Sequence, residues 1–156
     1  MTENIIIRNA HINDLEILKS FEQAVISYER PFAPNLKEDP ITYYNIVDLI
    51  NNEDATLLVA EVDNKIVGSG YALILDAKPY KNPAKYAYLG FMYVLPSYRG
   101  KGINGKIIDA LITDVKKKNI TEIQLDVYAE NESALQAYRK KGFKPDLLKM
   151  RMDTSD

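Results

Sequence analysis

The apolar residues change their period along this chain, and that change limits the folds open to it. Leu15, Leu18, Phe21, Val25 and Ile26 recur at helical spacing, as do Tyr43, Tyr44, Val47 and Ile50. From Thr56 to Val94 the pattern becomes that of strands. Ile103, Ile107, Ile108, Leu111, Ile112 and Val115 then restore a helical stripe, and Ile123, Leu125 and Val127 alternate as a strand. A helix from Asn131 to Lys141 and a last alternation through Leu148, Met150 and Met152 complete the chain. With Ile5 to Arg8 as the first strand, the order is β-α-α-β-β-β-α-β-α-β. A meander followed by a βαβ crossover calls for an α/β fold. It would have one mixed, mostly antiparallel, twisted sheet of about six or seven strands, flanked by four helices.

Local signals punctuate that order. Asn13, with Glu16 three residues on, suits the start of the first helix. Arg30-Pro31-Phe32-Ala33-Pro34 reads as a loop, because prolines and the residues before them resist helix. Asp39-Pro40 predicts the start of a second helix that ends at Asn51-Asn52. Asp63-Asn64-Lys65 joins two strands as a hairpin, Pro79 and Pro83 mark a loop, and Tyr86 to Val94 is a third long strand. Gly142 terminates the last helix.

Composition removes several chemistries. With no cysteine there is no disulfide, thiolate metal site or thiol nucleophile. One histidine, His11, cannot build a His-rich metal site, so no metal is expected. Twenty basic against 22 acidic side chains leave a net charge of −2, which favours neither nucleic acid nor anionic lipid. Lys116-Lys117-Lys118 reads as a helix end complementing its dipole. The start, Met1-Thr2-Glu3-Asn4, lacks a basic leader and no apolar run approaches a membrane span. A cytoplasmic protein folded as a single domain over 1–156 is the expectation.

Residues 94–107 carry the chemistry, and three anion-binding patterns compete for them. Gly100, Gly102 and Gly105 spell GxGxxG, but Leu95 to Arg99 separate them from the strand and only one βαβ unit exists. GxxxxGK runs from Gly100 to Lys106, but Ile107 stands where a magnesium-binding hydroxyl belongs. The third pattern is Val-x-Pro-x-Tyr-Arg-Gly-Lys-Gly-Ile, between a strand and a helix. Its glycines let successive N–H groups converge on one point at a helix N-terminus, which suits a pyrophosphate.

That run resembles motif A of the GNAT superfamily of N-acetyltransferases, with Arg99, Gly100, Lys101, Gly102, Ile103 and Asn104 at its core. Asn131-Glu132-Ser133-Ala134-Leu135-Gln136-Ala137-Tyr138-Arg139-Lys140-Lys141-Gly142-Phe143 is similar to a second signature of that family, N-x-x-A-x-x-x-Y-x-x-x-G-F. The resemblance implies a sheet whose central strand, Tyr86 to Val94, splays from the strand at Glu122 to Tyr128. Met92, Tyr93 and Val94 would offer backbone groups to the pantetheine arm of acetyl-CoA. Arg99, Gly100, Lys101, Gly102, Ile103 and Asn104 would cradle its pyrophosphate, and Asn131 would contact the cofactor or cap its helix. Tyr138 would protonate the departing thiolate as an amine attacks the thioester.

The resemblance further implies a small-molecule amine or peptide as acceptor, and it allows a homodimer through Leu147 to Met152. Asn104 departs from the small residue usual at its position. Gly90-Phe91 stands where many relatives carry a basic carboxylate, and Gly90 reads better as a bulge or close approach. Glu29, His11 and a water chain remain as proton acceptors. Tyr28, Glu29, Arg30, Phe32, Tyr80 and Tyr86 would frame the acceptor. A non-catalytic acyl-CoA-binding or sensor module is the alternative.

Overall fold

A computed structural model describes residues 4–155. Met1-Thr2-Glu3, read above for a leader, lies outside the described residues. Two compact units are present, one ending at Asp126 and one beginning at Val127.

The first unit holds β1 (Ile5–Asn9), α1 (Leu15–Glu29), α2 (Ile46–Asn51), β2 (Ala55–Val62), β3 (Lys65–Asp76), β4 (Lys85–Val94), α3 (Ile103–Lys117) and β5 (Ile123–Leu125). The strands lie in chain order, antiparallel from β1 to β4, with β5 parallel to β4 across the α3 crossover. Asp63 and Asn64, both at positive φ, turn the β2–β3 hairpin as their residue types suggest.

The two faces of the sheet are covered by different helices. Ile103, Ile107, Ile108, Leu111 and Val115 of α3 are all buried, and Ile107 lies against the small residues Gly68 and Gly70 of β3. On the other face Leu18, Phe21 and Val25 of α1 pack with Ile46 and Leu49 of α2 over Leu57, Val59, Tyr71 and Phe91. Each such buried aliphatic side chain contributes about 1.5–3 kcal/mol.

Several expectations are corrected. Five strands form among the described residues, not six or seven. The expected last strand is absent: residues 143–155 carry no regular element, and Leu148, Met150 and Met152 are exposed. Alternation alone makes no strand where no neighbour supplies ladder bonds. β5 stops at Leu125 rather than continuing to Tyr128. The second helix begins at Ile46, capped by Asn45, whose side chain accepts from Asp48 N–H at 3.0 Å. Upstream, the buried Glu22 carboxylate takes the N–H groups of Tyr43 and Tyr44 at 2.8 and 2.7 Å, and Gln23 donates to the Ile41 carbonyl. These backbone groups bond to α1 rather than to each other. At the start of α1, the turn is closed by Asp14, which accepts from His11 N–H at 2.7 Å, instead of by Asn13.

The second unit consists of α4 (Glu132–Lys141) and the chain around it. Asn131 caps this helix by accepting from Ala134 N–H at 3.3 Å, and Gly142 ends it at φ 104°.

Candidate functional site

β4 outruns its neighbour. It pairs with β5 at Ala87, Tyr88 and Leu89, whereas Gly90 to Val94 have no β5 partner. A bulge begins at the same place. The β3–β4 register shifts between Ser69 and Tyr71, Phe91 adopts φ 56°, and Ser69 Oγ donates to the Phe91 carbonyl at 2.9 Å. A Cβ on Gly90 would lie 2.5 Å from the end of the Tyr71 ring, so glycine is required there by close approach.

Beyond the bulge that edge of β4 has no strand partner among the described residues of the first unit. Leu95 N–H donates to the Val67 carbonyl at 2.8 Å, which by alternation turns the backbone groups of Val94, and those of Met92, to the opposite edge. There the Val94 carbonyl accepts from Arg99 Nε at 3.0 Å. Tyr93 pairs with Ser69 of β3, and its ring lies 4.8 Å from that of Phe21.

The strand leads through a 3-10 turn, Pro96–Tyr98, into the glycine loop. Gly100 and Gly102 have φ of 79° and 80°, with open space where a Cβ would sit. Backbone handedness therefore selects glycine at both, since any L side chain costs about 1 kcal/mol there. α3 starts immediately after, with no side-chain cap and no acid in its first turn. Lys106 N–H reaches back to the Gly102 carbonyl at 3.1 Å, whereas the helix N–H groups before it have no carbonyl one turn behind them. Those donors and the helix dipole suit a phosphate group.

The predicted loop residues are thus brought together with distinct contributions. Ile103 is buried by its side chain and can offer only backbone. Asn104 is half-buried beside it. Arg99 lies 5.8 Å from the Tyr93 ring centroid, and Lys101 Nζ lies 5.2 Å from that of Tyr98, both within cation–π range.

Asn131 and Tyr138 belong to the second unit. Asn131 is buried and acts as the helix cap. Tyr138 is half-buried, with its ring edge-on to Phe143 at 5.9 Å.

On the α1 face of the sheet, the bulge supports a cluster that sequence reasoning largely missed. Tyr44 stacks on Phe91 at 4.7 Å and meets Tyr71 edge-on at 5.8 Å. Tyr71 lies 6.4 Å from Tyr88, whose hydroxyl donates to Asp126 at 3.1 Å. Burial pushes the Tyr44, Tyr71 and Tyr88 hydroxyls upward, and neighbouring charges, Glu29 for Tyr44 and Asp126 for the other two, push further. The three phenols therefore stay neutral donors at physiological pH. Glu29, half-buried in the last turn of α1, is also pushed upward by burial, while the Tyr43 hydroxyl beside it partly offsets this. Of the residues expected to frame an acceptor, Tyr80 is exposed, and Tyr28 is half-exposed with its ring 5.8 Å from that of Phe32. The one sequence signal for the cluster was Gly90 breaking a run of strand residues.

Among the described residues no group of three His, Cys, Asp or Glu side chains converges as metal ligands would, and no helix is long and apolar enough to cross a membrane.

A model of the acetyltransferase (GNAT) family matches residues 19–143, spanning both the β4–α3 loop and α4. The chain belongs to this family. Among similar proteins, an N-alpha-acetyltransferase of Sulfurisphaera tokodaii is 27% identical over 143 residues, covering 88% of this chain and 79% of that protein. An acetyltransferase of Sodalis glossinidius is 31% identical over 120 residues, covering 77% of this chain and 78% of its own length. Among solved structures, a mutant of a Bacillus halodurans protein superposes with TM-score 0.87 at 23% identity, over 96% of this chain and 99% of that one. A predicted acetyltransferase of Clostridium acetobutylicum, solved with acetyl-CoA, gives TM-score 0.75 at 22% identity over 96% of each chain. The GNAT fold is therefore shared across nearly the whole chain.

Proposed function

We propose that this GNAT protein, one domain over 1–156, transfers an acetyl group from acetyl-CoA to a primary amine of a small molecule or peptide. The observation that carries this reading is the continuous path from the open edge of β4 to the uncapped start of α3. An extended amide-bearing arm can pair with Met92 and Val94 as an added strand would. A pyrophosphate at the far end meets the N–H groups of the Arg99–Asn104 loop, with Arg99 and Lys101 as nearby cations. The acetyl thioester then falls by the bulge, where β4 and β5 part.

Acyl transfer there needs two proton movements. The acceptor arrives as an ammonium and must become a neutral amine before its nitrogen attacks the thioester carbonyl. The C–S bond then breaks, and Tyr138 protonates the thiolate as general acid while Asn131 contacts the cofactor arm. Relatives named as N-alpha-acetyltransferases support an amine as acceptor.

Gly90-Phe91 leaves no carboxylate at the centre of β4, which favours one second reading, a non-catalytic acyl-CoA-binding or sensor module. Thiol release from acetyl-CoA with a panel of small amines and peptides separates the two. Turnover with any member supports transfer, whereas tight CoA binding with no release throughout supports the sensor.

A further inference from the structure

The two cations of the glycine loop go to different neighbours. Arg99 turns back onto β4, with Nε 3.0 Å from the Val94 carbonyl and its guanidinium 5.8 Å from the centre of the Tyr93 ring. Lys101 goes instead to Tyr98, its Nζ 5.2 Å from the ring centre.

A third cation reaches that same ring from outside the loop. Lys65 opens β3, directly after the Asp63-Asn64 turn, and its Nζ lies 5.6 Å from the centre of Tyr98. Pairing of the backbone brings these distant residues together. β3 meets β4 at Gly68 and Val94, and Leu95 N–H donates to the Val67 carbonyl at 2.8 Å, so the start of β3 runs beside the end of β4. The 3-10 turn that follows is closed by Tyr98 N–H on the Leu95 carbonyl at 2.9 Å, which sets the ring next to the hairpin.

Both lysines are exposed, whereas Tyr98 is half-buried. Each ammonium is attracted to the ring, but their like charges repel. Lys65 has no ion pair among the described residues, including with Asp63 of its own turn. An anion bound by the pair relieves the repulsion and accepts charge-assisted hydrogen bonds.

We propose that Lys65 and Lys101, gathered on Tyr98, bind the 3′-phosphate on the ribose of coenzyme A. The proposal rests on the acetyl-CoA reading above and adds a residue from outside the glycine loop. Backbone N–H groups of the loop and of the start of α3 meet the diphosphate. The remaining phosphate is a monoester carrying about −1.5 to −2 charges near pH 7, and it sits on the nucleoside that the diphosphate joins. Lys101 in the loop and Lys65 beside it are the cations at Tyr98, while Arg99 is engaged by β4. A lysine ammonium on its flexible stem follows an exposed phosphate without needing a fixed geometry. The β2–β3 hairpin thereby separates coenzyme A from the same thiol lacking that phosphate.

Calorimetric titration of the full chain with CoA and with 3′-dephospho-CoA tests this. Wild type should bind CoA about tenfold more tightly at low salt, and the preference should shrink at ~0.5 M salt. In Lys65→Met the ratio of the two affinities should fall about fivefold, entirely through weaker CoA binding. Lys65→Arg, which keeps the charge, should recover most of it. In Lys101→Met the ratio should fall as well, with both ligands weakened because that residue belongs to the loop. Lys116→Met removes the same charge at the far end of α3 and should leave both affinities unchanged. Thermal unfolding of these variants should match wild type, since the side chains are exposed. A wild type that binds both ligands equally, or a ratio that stays at the wild-type value in either Lys65→Met or Lys101→Met, overturns the proposal while leaving CoA binding intact. Failure of wild type to bind either ligand would remove the acetyl-CoA reading too.

Discussion

The end of the Tyr71 ring occupies the space in which a Cβ on Gly90 would stand, 2.5 Å from both Cζ and Oη. No side chain fits on β4 at this position, so a carboxylate there is sterically excluded while Tyr71 keeps its place under Tyr44. The bulge, the parting of β4 from β5 and the tyrosine wall all meet at this contact.

Gly90→Ala should destabilise the protein by about 1–3 kcal/mol through overpacking. Urea denaturation measures this. Combining it with Tyr71→Leu should cost less than the sum of the two single changes, because the clash and the cavity compensate. Additive losses would show that the ring is not the obstacle.

Gly102→Ala places a methyl group in open space but forces an L residue to φ 80°. Folding should weaken by about 1 kcal/mol. CoA affinity should fall about tenfold, equivalent to ~1.4 kcal/mol, since the loop N–H groups lose their convergence. Calorimetric titration with CoA checks this, and unchanged affinity would dissociate the loop from phosphate binding.

Tyr138→Phe keeps the ring packed edge-on to Phe143 but deletes the hydroxyl. A decrease of about 100-fold in kcat with CoA affinity retained is the expected result. Equal turnover would leave Tyr138 as a packing residue of α4.

Glu22→Ala strips the acceptor from two backbone N–H groups in the segment before α2. Each stranded donor costs about 1–3 kcal/mol. Denaturant midpoints should fall accordingly, and Glu22→Gln, which keeps a carbonyl acceptor, should recover part of the loss.

Asp14 is held below its ordinary value, first by the hydrogen bond from Arg8 and also by the His11 N–H, against an opposing burial effect. A carboxyl that titrates lower when folded contributes its full stability above the unfolded value, near 3.8, and loses it as pH falls through the folded value. Acid unfolding should therefore steepen below about pH 4. Asp14→Asn should flatten that slope while lowering stability at neutral pH, and an unchanged acid profile would show that the Arg8 pair contributes nothing.

Short-range chemistry was legible in the chain. Asp63-Asn64 makes its turn because both tolerate positive φ, Asn131 caps α4, and Gly142 ends it. Gly100 and Gly102 announce a curled loop before a helix, and in the structure both take positive φ just ahead of α3. What escaped sequence reading are contacts between distant residues. The second helix yields its first turns because Glu22, some twenty residues earlier, captures the N–H groups of Tyr43 and Tyr44. Leu148, Met150 and Met152 alternate as a strand would, yet form none.

By itself, then, the sequence determined the order of elements as far as α4, the glycine loop and the caps of α4, because each depends on a few neighbouring dihedral preferences and a matching apolar period. Only the tertiary structure decided where β4 leaves β5, which ring excludes a side chain at Gly90, and which tyrosines gather beside the bulge. Those outcomes depend on side chains brought together from α1, the segment before α2, β3 and β4, and their separation along the chain hides them until packing is complete.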